Sequence, residues 1–434
     1  MFNAYVVDGV RTAGGRRNGA LKDWHSADLG ALVVDEIVRR NGITPSHVDD
    51  VIWGCVSQTG SQAGNLGRNV VLSSKLLPES VCSKIKNQNH PTIKKYSLFF
   101  KKKVPGTTVD RQCGSSSQAF TFGAQAVMSG TMDMVIVGGS ESMSAVPIGS
   151  SVMDGVAAGH GQPWGGEGMQ ARYGEGVQFS QFEGAELTAE KYGITREEMD
   201  SFAELSHKRA AQATSDGRFR GEIVPVTSNL NLKEGAVQVF QADEGIRPDT
   251  TAAKLATLRT LSEGGRITAG TSSQITDGAS CMLLVNERAL KANPHLRVRA
   301  VVRCLVVSGA GPKIMLDAPV TGVQLALRRS GLTPADIDAL EVNEAFASVP
   351  LAVAKYNAIP LEKMNIHGGA MALGHALGST GTRCLTTLLN ILEQRHGRYG
   401  MFAICEGGGT SNVVIIERVS SPVPVVPQPI PAHL

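Results

Sequence analysis

The sequence predicts an α/β fold built from one unit used twice, and three observations predict it. Ten consecutive positions recur without a gap: Gly42-Ile43-Thr44-Pro45-Ser46-His47-Val48-Asp49-Asp50-Val51 returns as Gly331-Leu332-Thr333-Pro334-Ala335-Asp336-Ile337-Asp338-Ala339-Leu340. A second pair of segments, Asp133 to Gly139 and Gly400 to Gly408, are apolar runs that end in glycines, the pattern of a buried strand entering a turn. Finally, 49 glycines and only 5% aromatic residues in a chain of 434 suit many tight strand–helix connections. Short α/β elements can resemble one another by chance, but ten gapless positions make duplication the stronger reading.

Ala4-Tyr5-Val6-Val7-Asp8 reads as the opening strand. Ser26 to Arg40 has helical periodicity; Gly42 stops that helix, Thr44-Pro45 starts a short turn, and Val51-Ile52-Trp53 forms the next strand. The second copy repeats the order with Val320 to Arg329, Gly331, Thr333-Pro334 and Leu340-Glu341-Val342. Thr107-Thr108-Val109 is a strand and Ser115 to Met128 a helix. Residues 146–264 differ in kind, glycine-rich from Gly155 to Gly176 and amphipathic from Arg196 to Thr214. We expect a loop domain there, inserted into a first half made of residues 1–145 and 265–290. Residues 291–419 form the second half, and residues 420–434, rich in Pro and Val, an extended, exposed tail.

Composition removes several function classes. No apolar run is long enough to span a membrane, and the N-terminus has neither a signal-peptide pattern nor an Arg-rich amphipathic helix. Seven scattered cysteines with no CxxC pair point to reduced thiols, an intracellular setting and no metal. The formal net charge of +3 is local in origin: Val81 to Lys103 holds seven lysines and no acid, so the rest of the chain carries −4 and gives no reason to expect a nucleic-acid partner. That segment is foreign in composition to the Gly/Ala/Val-rich chain around it. It stands as a surface loop, a binding element or a translated intron; a Val codon begins with GT and a Lys codon can end in AG, which favours the intron.

Four motifs carry chemistry. In Asp110-Arg111-Gln112-Cys113-Gly114-Ser115, Cys113 falls at a strand-to-helix turn. The free N–H groups and dipole of a helix N-terminus favour a thiolate and can hold an oxyanion. His367-Gly368-Gly369-Ala370-Met371-Ala372-Leu373-Gly374-His375-Ala376-Leu377-Gly378 sets His375 between glycine turns, well placed for a general base, and its spacing is not that of a dinucleotide-binding loop. Ile404-Cys405-Glu406-Gly407-Gly408-Gly409 offers a second thiol at a strand end beside free backbone N–H groups. Glu341-Val342-Asn343-Glu344-Ala345-Phe346 leaves a strand with Asn343 at the repeat position of Gly54, so the fold unit itself does not demand that polar side chain. Each motif alone has an ordinary explanation: a buried structural cysteine, a satisfied histidine, an inert strand-end thiol, a turn-forming asparagine.

Together and in this order, the two cysteines, the histidine and the asparagine resemble the thiolase family, from Val7-Asp8-Gly9-Val10-Arg11-Thr12 to Val414-Ile415-Ile416; only residues 81–103 and the tail fall outside. The resemblance implies two mixed-sheet α/β halves layered α-β-α-β-α, with the inserted loop domain over a CoA site. It implies an acyl-CoA C-acyltransferase that cleaves 3-ketoacyl-CoA with CoA to acetyl-CoA and a shortened acyl-CoA, or runs the reverse Claisen condensation, by ping-pong covalent catalysis. Cys113 is then the acylated nucleophile, His375 the base for its thiol, and Cys405 the second acid/base. His375 with a water held by Asn343 forms one oxyanion site, and the backbone N–H groups of Cys113 and Gly407 the other. Ile267 to Gln274 resembles the family's pantetheine-contacting loop, with Ser273 as its hydrogen-bonding residue. Coenzyme A is then a co-substrate, with no permanently bound cofactor and no metal, and a homodimer or homotetramer is expected.

The sequence departs from the family pattern at Ala376, where proline is usual, and at Ser180 to Glu186, which lacks the His-Met-Gly-Met-type stretch of short-chain members and points to longer or bulkier acyl chains, including steroid side chains. The lysine-rich segment precedes a strand that pairs across the family's dimer. Ala432-His433-Leu434 resembles a permissive peroxisomal address; without it the chain would be cytoplasmic or mitochondrial. Two competitors are a ketoacyl synthase, against which Cys405 argues, and a catalytically impaired thiolase-like protein that binds acyl-CoA or lipid.

Overall fold

The computed structural model of the chain describes residues 2–77, 104–228 and 238–420. The lysine-rich segment 81–103 and the tail 421–434, with Ala432-His433-Leu434, lie outside the described residues. The strands are β1 (Tyr5–Arg11), β2 (Gly15–Arg16), β3 (Asp50–Gly54), β4 (Thr107–Val109), β5 (Met134–Ser142), β6 (Val226–Ser228), β7 (Gln238–Phe240), β8 (Thr276–Val285), β9 (Ala300–Gly309), β10 (Ile337–Val342), β11 (Tyr399–Glu406) and β12 (Thr410–Arg418). β6 and β7 pair with each other alone, and β2 pairs with β8; the other nine run β10-β11-β12-β9-β1-β8-β5-β3-β4.

The duplication is visible in that path. β1 pairs antiparallel with β8, β8 antiparallel with β5, and β5 parallel with β3. The second half repeats the pattern with β9, β12, β11 and β10. Two residue pairs, Tyr5↔Val301 and Val6↔Ala300, join the halves into one mixed sheet. The sequence repeat sits where it should: helix Ser26–Arg40 and helix Ala318–Ser330 each precede a glycine at positive φ, Gly42 and Gly331, then a one-turn helix starting at Pro45 or Pro334, then β3 or β10. Only glycine reaches that left-handed stop without strain.

Alternation along the strands divides the core into layers. Val135 and Val137 of β5, with Phe402 and Ile404 of β11, face a central core shared with helices Ser115–Ser129 and Thr380–Gln394. Met134 and Ile136 face an outer core with Leu29, Val33 and Ile37. Met401 and Ala403 face the opposite outer core with Val320 and Val323. This is an α-β-α-β-α stack. Every residue from Thr380 to Leu392 is buried, and each of its five large aliphatic side chains contributes about 1.5–3 kcal/mol by leaving water. The two central helices meet so closely that a Cβ on Gly381 would collide with the Ser117 backbone.

The segment between the halves carries helices Gln181–Lys191 and Arg196–Ser215. A fully buried cation fastens it: Arg11 of β1 donates to Glu222 (2.7 Å) and to Asp243 (2.7 and 3.1 Å). Glu222 in turn accepts from Thr387 and Asn390 of the second central helix. Among the described residues no helix is long and apolar enough to cross a membrane.

Candidate active site

β4 ends at Val109, and the chain turns through Asp110 to Gly114 before helix Ser115–Ser129 begins. Gln112 holds φ +48°, a left-handed conformation that costs a non-glycine residue roughly 1–2 kcal/mol. Side chains lock the turn: Asp110 Oδ1 accepts from Gln112 N (2.7 Å), and Ser115 Oγ accepts from Arg111 N (3.0 Å) while donating to Gln112 O (2.6 Å). Cys113 follows, buried in the central core. The helix end alone would favour a thiolate. In the closed site burial, and then the charge of Glu406, outweigh it and push the thiol up to about 12.

His375 lies on the loop that leads into the second central helix. Its N–H donates to Thr276 Oγ1 (2.9 Å) and Gln274 O (3.2 Å). Its Nδ1 sits 2.6 Å from Thr380 Oγ1. The Thr380 hydroxyl spends its only hydrogen on Ala376 O (2.9 Å), so Nδ1 must carry the proton and donate. Nε2 is then unprotonated and accepts from Asn343 Nδ2 (3.4 Å). Burial, followed by the Arg383 charge, lowers the imidazole to about 3, so the neutral base form prevails at ordinary pH.

Asn343 leaves β10 with its N–H on Ala403 O (3.0 Å), and its buried Oδ1 has no hydrogen-bond partner among the described residues. Cys405 is the next-to-last residue of β11 and belongs to the outer core of the second half. Burial, followed by the fields of Cys113 and Glu406, pushes its thiol up, so the two thiols are within electrostatic reach. Gly407 opens the tight turn to β12; a Cβ there would lie 3.1 Å from Gln112 Oε1, which brings that turn against the Cys113 turn. Ser273 donates its N–H to Ala345 O (2.9 Å), pairing its segment with the stretch after Asn343 rather than with the thiols.

Three residues that the motif reading passed over hold the assembly. Thr380 sets the histidine tautomer. Glu141, at the end of β5, accepts from Val56 N (3.0 Å), Ser57 N (2.9 Å), Gln62 Nε2 (2.9 Å) and Gly378 N (2.9 Å), tying the His375 loop to the first half. Glu406 lies beside Gly114, Thr410 and Asn412. The only sequence signal for the two glutamates was an acid at the end of an otherwise apolar strand.

A buried thiol at a helix start, a second buried thiol within its electrostatic reach, and an imidazole with an unprotonated Nε2 are groups that covalent acyl transfer can use. The model of the Thiolase, N-terminal domain, matches residues 4–90 and 80–288, and that of the Thiolase, C-terminal domain, matches residues 296–418. The chain belongs to the thiolase family. It is 44% identical to the steroid 3-ketoacyl-CoA thiolase FadA6 of Mycobacterium tuberculosis over 96% of this chain and 95% of that protein. It is 38% identical to a 3-ketoacyl-CoA thiolase of Marinobacter nauticus, over 95% of this chain and 98% of the relative. The solved acetyl-CoA acetyltransferase of Bacillus anthracis matches with a TM-score of 0.80 at 31% identity, covering 96% of this chain and 99% of that one.

Proposed function

We propose that this chain is a 3-ketoacyl-CoA thiolase, with Cys113 as nucleophile, His375 as its base, Cys405 as second acid/base, and Asn343 and Gly407 at the oxyanion sites. The observation that carries the reading is the His375 tautomer: Thr380 fixes the proton on Nδ1 and leaves Nε2 to take one. Cys113 Sγ attacks the 3-keto carbon while His375 Nε2 accepts the thiol proton. The C2–C3 bond breaks, Cys405 protonates the departing carbanion, and acetyl-CoA leaves. Cys405, now a thiolate, takes the proton of an incoming CoA thiol, which attacks the acyl-Cys113 thioester. The shortened acyl-CoA departs and His375 returns its proton to Cys113. The backbone N–H groups of Cys113 and Gly407 hold one oxyanion; His375 with water held by the free Asn343 Oδ1 holds the other, and losing one such donor typically costs about 10²–10³ in rate. The condensation direction uses the same residues in reverse.

Coenzyme A is the co-substrate, and Ser273 contacts its pantetheine arm. The reading extends to acyl chains longer than acetoacetyl, since exposed Phe182 packs edge-on to Phe346, three residues beyond Asn343, as an apolar wall. The relative named as a steroid thiolase supports bulky acyl groups. The reading includes a homodimer or homotetramer, which β4 at the sheet edge and the exposed Leu72 and Phe122 on helices that contact it support. The test is intact mass after incubation with a 3-ketoacyl-CoA, with Cys113→Ala alongside. An acyl gain on the parent and none on the variant is expected; no gain on a folded parent refutes the reading.

A further inference from the structure

The two halves carry one carboxylic acid each at the same place and use it differently. The repeat equates Ile52 with Glu341; their ladder partners are Val137 and Phe402, so β5 and β11 correspond from their first residues, Met134 and Tyr399. Glu141 and Glu406 are each the eighth residue of their strand. Glu141 is saturated by four N–H donors and the Cys55 thiol and serves as a clamp. Glu406, equally buried, has two among the described residues: Thr410 Oγ1 to Oε2 (2.6 Å) and Asn412 Nδ2 to Oε1 (2.7 Å). Asn412 also accepts from Thr121 Oγ1 (3.3 Å) on the first central helix. The Glu406 carboxyl fills the space where a side chain on Gly114, the residue after Cys113, would stand. No step of the proposed reaction uses it.

We propose that Glu406 is a positioning residue that governs the ionisation of Cys113, its carboxyl seated at the positive end of the helix that the thiolate must share. The inference rests on Cys113 being the nucleophile. A helix N-terminus favours one anion, and a carboxylate already there opposes a second. Of the groups around it, Arg111 on the Cys113 turn draws the carboxylate charge, whereas Asp110 on that turn and Glu141 on β5 add to the negative field at Cys113; Cys405 shares the field from β11, and β12 offers only the neutral Thr410 and Asn412. Burial pushes the Glu406 acid up to about 7, so its charge changes within the working pH range of a cell. Ionised Glu406 adds to burial in holding the resting thiol protonated; neutral Glu406 lifts that added opposition.

The test is the pH dependence of Cys113 alkylation by iodoacetamide, located by peptide mass, in the full chain and in Glu406→Gln. Glutamine keeps the size and an acceptor for Thr410 or Asn412 but removes the charge. The variant is expected to react about tenfold faster at pH 8, with its midpoint about one pH unit lower, as loss of a nearby negative charge requires. A merely structural role would leave the midpoint in place, so an unchanged midpoint in a variant with parental melting temperature overturns the proposal. Thr410→Val carries the test if the glutamine variant does not fold: losing the hydroxyl that favours the carboxylate keeps Glu406 neutral to higher pH, so alkylation should speed up near pH 7–8, where that charge changes, and no gain in rate there overturns it too. Alkylation needs no turnover, so the two readings fail separately. An acylating enzyme with no shift sinks this inference, and a shift in a chain that never acylates sinks the thiolase reading.

Discussion

Thr380→Val removes one oxygen and leaves the shape of the second central helix intact. The hydroxyl accepts from His375 Nδ1 at 2.6 Å and donates to Ala376 O at 2.9 Å, and all three residues are buried. Its loss strands the buried Nδ1–H donor, at about 1–3 kcal/mol, while Ala376 O keeps the Ser379 N–H (3.0 Å). The same loss removes the preference for the Nδ1–H tautomer. If that preference is worth about 1–3 kcal/mol, the ratio of the Nδ1–H to the Nε2–H tautomer falls by roughly 5- to 150-fold, which leaves about half of the imidazole with an unprotonated Nε2. The ring also loses its anchor at Nδ1, and a positioned general base is worth about 10²–10⁴, so kcat/KM for thiolysis should drop by about one to two orders of magnitude while Asn343 Nδ2 still donates to Nε2. Thr380→Ser restores the oxygen and should restore most of the rate. The assay is the disappearance of a 3-ketoacyl-CoA in the presence of CoA, with a melting curve for each protein. A folded Thr380→Val enzyme within twofold of the parent would show that Thr380 does not set the tautomer, and the base assignment of His375 would lose its main support.

Three further outcomes follow from the same structure. Cys405→Ser should gain acyl mass on Cys113 far more slowly, because the carbanion from C2–C3 cleavage loses its acid, and steady turnover should fall by about 10²–10⁴; undiminished turnover removes Cys405 from the mechanism. Arg11→Met leaves Glu222 and Asp243 buried beside an apolar side chain, at a cost of about 3–5 kcal/mol, read as a lowered denaturant midpoint; an unchanged midpoint would mean the two acids find other partners. Stability should also follow pH with a definite sign. His207 and His367, lowered to about 4, and His375, lowered to about 3, all by burial, stabilise the fold fully above the unfolded histidine value near 6.5 and lose that stability as pH falls towards 3–4. Glu341, raised to about 8, and Glu406, raised to about 7, act the other way, stabilising below the unfolded value near 4.5 and losing it as pH rises through 7–8. The two sets largely offset each other between pH 6.5 and 4.5, so unfolding curves should show a gentle loss there and a steep one below 4.5; a steep loss already at pH 6 would contradict the burial of the histidines.

Local signals made much of this legible. Gly42 and Gly331 stop their helices, the apolar alternation of Val51-Ile52-Trp53 marks a strand, and the turn before Ser115 announces a helix start with Cys113 on it. Asn343 was readable because the first copy of the repeat has Gly54 in its place. What was not legible depends on distance in sequence. Glu141 reaches Gly378 across 237 positions, and Arg11 reaches Asp243 across 232, so neither partner is written beside the residue it serves. Electrostatics was hidden for the same reason. The helix end that argues for a Cys113 thiolate is local, whereas the burial and the Glu406 charge that oppose it come from the other half of the molecule. Glycine matching also misleads on register: it sets Gly139 against Gly408, while the ladders equate Gly139 with Ile404.

That corrected register explains why a duplicated fold has one reactive centre and not two. The central helices begin at Ser115 and Thr380, so the position equivalent to Cys113 is Gly378. A Cβ on Gly378 would lie 2.7 Å from the carbonyl oxygens of Gly54 and Ser140 and 2.8 Å from Glu141 Oε2, so no nucleophilic side chain fits there. Cys405 corresponds to Ser140, whose hydroxyl is consumed by Trp53 Nε1 (2.9 Å) and Ser26 O (3.0 Å). Asn343 corresponds to Gly54, which has no side chain to offer. The first half therefore spends its strand ends on holding the His375 loop. The second half, with Cys405 and Glu406 at the matching strand end, packs Glu406 and Gly407 against the turn that carries Cys113 and sets Asn343 on His375. Packing that forbids a side chain at Gly378 is what leaves the helix start of the first half, at Cys113, as the one of these two equivalent positions that can carry a nucleophilic side chain.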